Sequence, residues 1–294
     1  MALNISALRT RTLTAIVFVV IMAAGLLISH WSFFLLFTII HFGCWREYQQ
    51  LAAKIDPDYA GISSFHRYGS MIAGWCLMLY FTNDAFSIGA LSLHSIGWWL
   101  GLLFAFLLPI SELLFAPNIS LKNIGRSALG ILYISLSCGL MIDMMPFPAS
   151  KNVYTVPVRP ALPLLIIACM WINDTMAYLV GSLIGRTPFS PISPKKTWEG
   201  TIGGVLLCVA TVTISSRYIN VLKDIPVIHC LMIALIACVA GTCGDLLESK
   251  IKRMAGVKDS GSLMPGHGGF LDRFDSLLIA APFVWAYVEI FLRR

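Results

Sequence analysis

Nine apolar runs set the terms for this chain. They lie near residues 12–29, 31–51, 69–83, 96–116, 124–145, 161–184, 199–219, 226–245 and 275–292. A bilayer core about 30 Å thick is crossed by about 20 helical residues. Backbone polar groups in lipid must be satisfied within each crossing segment. The pattern therefore predicts an all-α, polytopic integral membrane protein of about nine spans. Only 12% of the 294 residues are charged and 57% are hydrophobic, against roughly 25% charged in a soluble domain. Mean hydropathy is +0.79. This excludes a disordered chain and argues against a soluble globule. The net charge of +6 is dispersed between apolar runs, so no nucleic-acid partner is expected.

The basic residues orient the spans. Arg9 and Arg11 precede the first run as they would in a signal peptide, but no small-residue cleavage pattern follows, so a retained first helix is expected. With the N-terminus in the cytoplasm and nine alternating spans, 15 of the 21 Lys and Arg fall on the cytoplasmic side. That bias agrees with the positive-inside rule. The eight Cys form no CxxC pair and mostly sit in apolar runs, where they read as small hydrophobes.

The chain divides by composition. Residues 1–160 hold about five spans with ordinary connections. Residues 161–294 hold about four, with polar loops at 185–200 and 245–275. An ionisable residue within a span is costly and calls for a reason. Glu112, Asp143 and Glu289 lie near span ends and can reach the interface. Asp174 lies within the sixth run, beside Asn173 and Thr175, and is a functional candidate. GxxxG spacing at Gly181/Gly185 and Gly200/Gly204 favours close helix contact.

Two polar segments carry the chemistry. From Gly185 to Gly200, three prolines within seven residues exclude helix. This loop holds Arg186, Lys195 and Lys196 with Ser193 and Thr197, a combination that suits phosphate oxygens; contact with lipid headgroups is the plainer alternative. Glu199 would favour the following helix dipole. From Asp245 to Asp275 run five acids, five Lys or Arg and His267. Asp272 and Asp275 share a face at i,i+3 if a helix begins there. With Asp245, they could hold a hard cation such as Mg²⁺. Lys252, Arg253 and Lys258 could neutralise phosphates, and the glycines beside His267 free the backbone to approach one.

At these residues the sequence resembles the CTP:phosphatidate cytidylyltransferases, or CDP-diacylglycerol synthases. The matching positions are Ser249, Ile251, Lys252, Arg253, Lys258, Asp259, Pro265, His267, Gly268, Gly269, Phe270, Asp272, Arg273, Phe274 and Asp275. Met264 stands where Leu, Ile or Phe is more usual. Upstream, Asn173-Asp174-Thr175 and Ser193-Pro194-Lys195-Lys196-Thr197-Trp198-Glu199-Gly200 also look like this family. Without a long soluble extension before the first span, a bacterial type is expected, in the cytoplasmic membrane with its active site facing the cytoplasm.

The resemblance implies conversion of CTP and phosphatidate to CDP-diacylglycerol and pyrophosphate. It implies Mg²⁺, a second monovalent ion such as K⁺, membrane lipids as surroundings and a homodimer. Its metal-binding acids fall on Asp245 and Asp272, an assignment we extend to Asp275. Lys252 and His267 join the catalytic candidates, although a phosphate monoester (second pKa about 6) needs no general base at pH 7. Asn173, Asp174, Ser193, Lys195, Lys196, Thr197, Glu199, Ser249, Arg253, Lys258, Asp259, Gly268, Gly269 and Arg273 are the expected substrate contacts. A CTP-dependent polyprenol or phytol kinase would instead release CDP. A secondary transporter would show paired halves with broken helices, and no such repeat is present.

Overall fold

The computed structural model describes residues 5–82, 86–115, 120–145, 161–220, 222–223, 225–262 and 268–293. The chain forms two compact units. One comprises Met1–Asp143 with Ile251–Phe274, the other Met144–Lys250 with Asp275–Arg294.

In the first unit, helix α1 (Ile5–Leu27) is followed by α2 (His30–Ile55), α3 (Pro57–Ala60) and α4 (Ser64–Tyr80). Strands β1 (Ser87–Ile88) and β2 (Leu91–Ser92) form a small antiparallel hairpin before α5 (Leu93–Phe115). Helix α6 (Leu121–Gly130) passes through a π turn, Ile131–Leu136, into α7 (Ser137–Asp143). Side-chain caps fix the starts. Ser29 and Ser32 form a capping box on α2. Asp56 closes α2 and caps α3 ahead of Pro57, and Ser63 and Ser120 cap α4 and α6. Each satisfies an otherwise orphaned amide. The core of this unit is built on α2, where Trp45 is fully buried. Its Nε1 donates to Ser135 Oγ at 2.8 Å, and His41 Nε2 lies 2.9 Å from the same oxygen. The π turn thus presents one hydroxyl to two polar groups of α2.

Glu112 is buried and its Oε2 lies 3.1 Å from His66 Nδ1. At the α2–α3 junction, Arg126 donates to Asp56. That bond holds the Asp56 carboxyl below the usual carboxylate range.

In the second unit, α8 (Ala161–Ile184) leads into the antiparallel hairpin of β3 (Pro188–Ser190) and β4 (Ser193–Thr197), then α9 (Trp198–Ser215). The Pro-rich segment is therefore a two-stranded ribbon. Helices α10 (Val227–Met254) and α11 (Leu271–Phe291) complete the chain. Within this unit His229 Nδ1 and Tyr287 Oη, 2.8 Å apart, join α10 to α11. Glycines set the contact of α8 and α9: a Cβ on Gly204 would stand 2.7–3.0 Å from Ala177, including its backbone.

Among the described residues, six helical stretches are long and apolar enough to cross a membrane: Leu93–Leu114, Leu121–Asp143, Ala161–Ile184, Trp198–Ser215, Val227–Met254 and Leu271–Phe291. The remaining three expected spans are helical too, but differ in kind. Thr12–Leu27 is a shorter apolar helix, α4 has 17 residues, and α2 carries Arg46, Glu47 and Lys54. The chain is thus an all-α polytopic membrane protein.

Replacing Gly204 by Val should force α8 and α9 apart. The expected cost is about 1–3 kcal/mol of overpacking, read as a lowered midpoint of thermal unfolding in detergent. An unchanged midpoint would show that the contact is not tight.

Candidate active site

Three carboxylates converge in the second unit. Asp245 and Glu248 are one turn apart on α10, and Asp275 lies one turn into α11. One oxygen from each falls within 4.8 Å of the others. Glu248 and Asp275 are buried and Asp245 is partly so. The convergence follows from Gly244, where a Cβ would meet the Asp275 carbonyl at 2.5 Å and Ser276 Cα at 3.1 Å. Only a glycine lets the two backbones approach so closely. Like charges this close repel strongly outside water. A hard divalent cation, which prefers oxygen ligands, relieves that repulsion. The donor set therefore fits Mg²⁺.

The β3–β4 ribbon delivers a base to this group. Lys196 on β4 bonds Asp245 Oδ2, and Ser249 Oγ stands 3.4 Å from Asp245 Oδ1. Thr197 caps α9 by accepting from Gly200 N at 3.2 Å. Glu199 does more than face a helix dipole. Its oxygens accept from the amides of Arg186 and Thr187 at 3.1–3.2 Å and from Thr187 Oγ1 at 2.8 Å. It therefore ties the root of the ribbon to α9. Lys195 is exposed, Ser193 half-buried, and on α8 Asn173 is buried while Asp174 is exposed.

The first unit holds the other half of the candidate residues. Beyond α10 the chain turns at Gly256, whose φ is 68°, and Arg253 Nη1 lies 3.5 Å from the Val257 carbonyl. Lys258, Asp259 and Arg273 are exposed. Asp272 is fully engaged. Its Oδ1 accepts from Lys252 Nζ at 2.6 Å. Its Oδ2 accepts from Ser260 N at 2.9 Å and Gly269 N at 2.8 Å, with Ser260 Oγ at 2.9 Å. Gly268 takes a φ of 80° to bring this strand of chain over Asp272. His267 lies outside the described residues.

Two acidic residues escaped the sequence reading. Glu248 was visible as an acid at i+3 from Asp245. Glu47 was not marked by any local motif. It is buried on α2, only 6% exposed. It accepts from Ser260 Oγ at 2.7 Å, Phe270 N at 2.9 Å and Leu271 N at 2.9 Å. The single hydrogen on Ser260 Oγ serves Glu47 or Asp272, not both. Glu47 also occupies the space that a side chain at Gly269 would need. It is the anchor of the segment that carries Asp272.

Glu47→Ala leaves the Phe270 and Leu271 amides without their acceptor. The expected loss is about 1–3 kcal/mol for each buried donor left unsatisfied. It would be measured as a lower unfolding midpoint and faster protease cleavage between 255 and 262, with Glu47→Gln falling between mutant and parent. Equal cleavage in all three would remove the anchoring role.

Comparison with known proteins gives the family of the chain. The chain matches the model of the cytidylyltransferase family over residues 9–291. Phosphatidate cytidylyltransferase of Bacillus subtilis (strain 168) is 35% identical over 193 residues, 64% of this chain and 67% of that protein. Phosphatidate cytidylyltransferase of Thermotoga maritima is 42% identical over 170 residues, 56% of this chain and 59% of that protein. Phosphatidate cytidylyltransferase 4, chloroplastic, of Arabidopsis thaliana is 44% identical over 121 residues, 41% of this chain and 30% of that protein. The matched segments thus span 30% to 67% of these relatives' lengths. Because the family match runs from α1 to the end of α11, the chain belongs to the cytidylyltransferase family.

Proposed function

We propose that this chain is a phosphatidate cytidylyltransferase, converting CTP and phosphatidate to CDP-diacylglycerol and pyrophosphate. The observation that carries this reading is the group of Asp245, Glu248 and Asp275 with Lys196 bound to Asp245. A phosphate oxygen of phosphatidate attacks the α-phosphorus of CTP. The bond from that phosphorus to the bridging oxygen breaks, and pyrophosphate leaves with the electron pair. Attacker and electrophile are both anionic, so the site's task is to hold like charges together in line.

Asp245, Glu248 and Asp275 are the proposed Mg²⁺ holders, and the family resemblance adds Asp272. Bound there, the cation would polarise the α-phosphate and offset charge on the leaving group. Lys195, Lys196, Lys252, Arg253 and Lys258 then bind phosphate oxygens. Lys196 and Lys252 already rest on carboxylates, which keeps each ammonium oriented until phosphate replaces its partner. Glu199 keeps the β3–β4 ribbon on α9, so Lys196 returns to the same place after each turnover. Phosphatidate monoester is mostly ionised at neutral pH (second pKa about 6), so no residue need remove a proton. We further propose K⁺ as a second ion, a homodimeric assembly, and a cytoplasm-facing site in a bacterial inner membrane.

Labelled CTP with phosphatidate and the purified chain in detergent tests the reading. Lipid-linked CMP and pyrophosphate should both appear, and both should vanish when EDTA removes the divalent ion. Free CDP as product would make the chain a lipid kinase instead. Asp245→Asn and Asp272→Asn should each lower turnover by about 100-fold or more while the protein stays folded. Normal turnover of either variant at saturating Mg²⁺ would exclude that residue from the site.

A further inference from the structure

A cleft of about 690 Å³ opens in the first unit between α2 and the segment around Gly261 and Phe270. That volume lies in the range of small-ligand sites, about 300–1,000 Å³. We propose that it seats the phosphatidate molecule, with its phosphate on Arg46 and one acyl chain along Ile39, Phe42 and Phe270. The proposal rests on the cytidylyltransferase reading and assigns that enzyme's lipid subsite.

The argument starts from one face of α2. Ile39, Phe42, Arg46 and Gln50 line the cleft at helical spacing, so they stack along a single stripe. The stripe spans about 16 Å at 1.5 Å per residue. Its polarity changes once. Apolar side chains occupy the N-terminal half, and Arg46 and Gln50 occupy the C-terminal half. A lipid has the same order, hydrocarbon followed by headgroup. With the N-terminus in the cytoplasm, as the Lys and Arg bias indicates, the C-terminal half of α2 faces the cytoplasm. A phosphatidate in that leaflet places its phosphate there and its chains deeper, matching the stripe.

The opposite wall supports this occupant. Phe270 lies against α2 where Gly43 leaves room, since a Cβ there would stand 2.5 Å from its Cγ. The ring thereby extends the apolar wall of Phe42. Phe270 is two residues before Asp272, so a lipid held here lies beside the segment that carries a proposed catalytic acid. Glu47 also borders the cleft, but its two oxygens accept from Ser260 Oγ and the amides of Phe270 and Leu271. Its charge is thus spread into the start of α11. Arg46 is exposed on the same turn, and guanidinium geometry matches a phosphate bidentately.

The test is kinetic and separates the two substrates. In mixed micelles, Arg46→Ala should raise KM for phosphatidate about tenfold or more, as expected for a lost charge-assisted hydrogen bond. KM for CTP should not change, and Arg46→Lys should recover part of the loss. Unchanged phosphatidate KM in Arg46→Ala, or an equal rise for CTP, would overturn the assignment. A second measurement does not need turnover. Phosphatidate with a diazirine-bearing acyl chain should label residues 38–43 or Phe270, and unlabelled phosphatidate should compete where phosphatidylglycerol does not. Labelling confined to other helices, or equal competition by both lipids, would also overturn it. Absence of any turnover in the parent chain with this labelling pattern intact would reject the enzymatic reading but leave the lipid site standing.

Discussion

A carboxylate buried on the second helix organises what the far end of the chain can do. Glu47 lies 213 residues from Ser260 and more than 220 from Phe270 and Leu271, yet it binds all three. The first amides of a helix have no partner within it, and away from water each needs an acceptor. Glu47 supplies that acceptor for α11. In return, the helix start and the Ser260 hydroxyl keep its charge solvated by dipoles. Ser260 and residues 269–271 are thereby held where Ser260 and Gly269 can bind Asp272. Asp272 is held from three sides before any substrate arrives.

The same logic accounts for the ion pairs. Lys252 sits on Asp272 and Lys196 on Asp245. Neither pair is fully exposed, so each charge would be costly to hold alone. Paired, each charge has its partner within reach. In the proposed reaction, the oxygens of a triphosphate would replace the carboxylates as partners of the ammonium groups, and a divalent cation would replace the ammonium groups as partner of the carboxylates. Such binding would exchange one set of charge partners for another without leaving a bare charge in a partly buried site. The proposed reaction joins two anions, and bases held in place beforehand would favour it.

Much of the helical frame was legible because lipid leaves few choices. Apolar runs of sufficient length must be helices when no water can satisfy the backbone, and all nine runs lie on helices among the described residues. The spans differ where charge intrudes, as on α2, whose Arg46, Glu47 and Lys54 mark a helix working at an interface. Proline spacing correctly excluded helix at 188–194, but periodicity could not foresee a paired ribbon, because pairing depends on Glu199 binding back to Arg186 and Thr187. Asp245, Asp275 and Lys196 were readable from their density of charge. Glu248 was readable only as a helical neighbour of Asp245, and its place beside Asp275 depends on α11 meeting α10 at Gly244.

Glu47 marks the limit of local reading. Its partners are backbone amides, which every residue carries and no motif identifies. What the sequence did contain was an acid within a largely apolar helix, beside Arg46, and the cost of that placement was itself the signal. The two neighbours divide the work by direction. On a helix, adjacent side chains point about 100° apart. Glu47 turns inward to fix the start of α11, while Arg46, one residue before it, opens to the cleft. One turn of α2 therefore shapes the segment carrying Asp272 through Glu47 and faces the cleft beside it through Arg46.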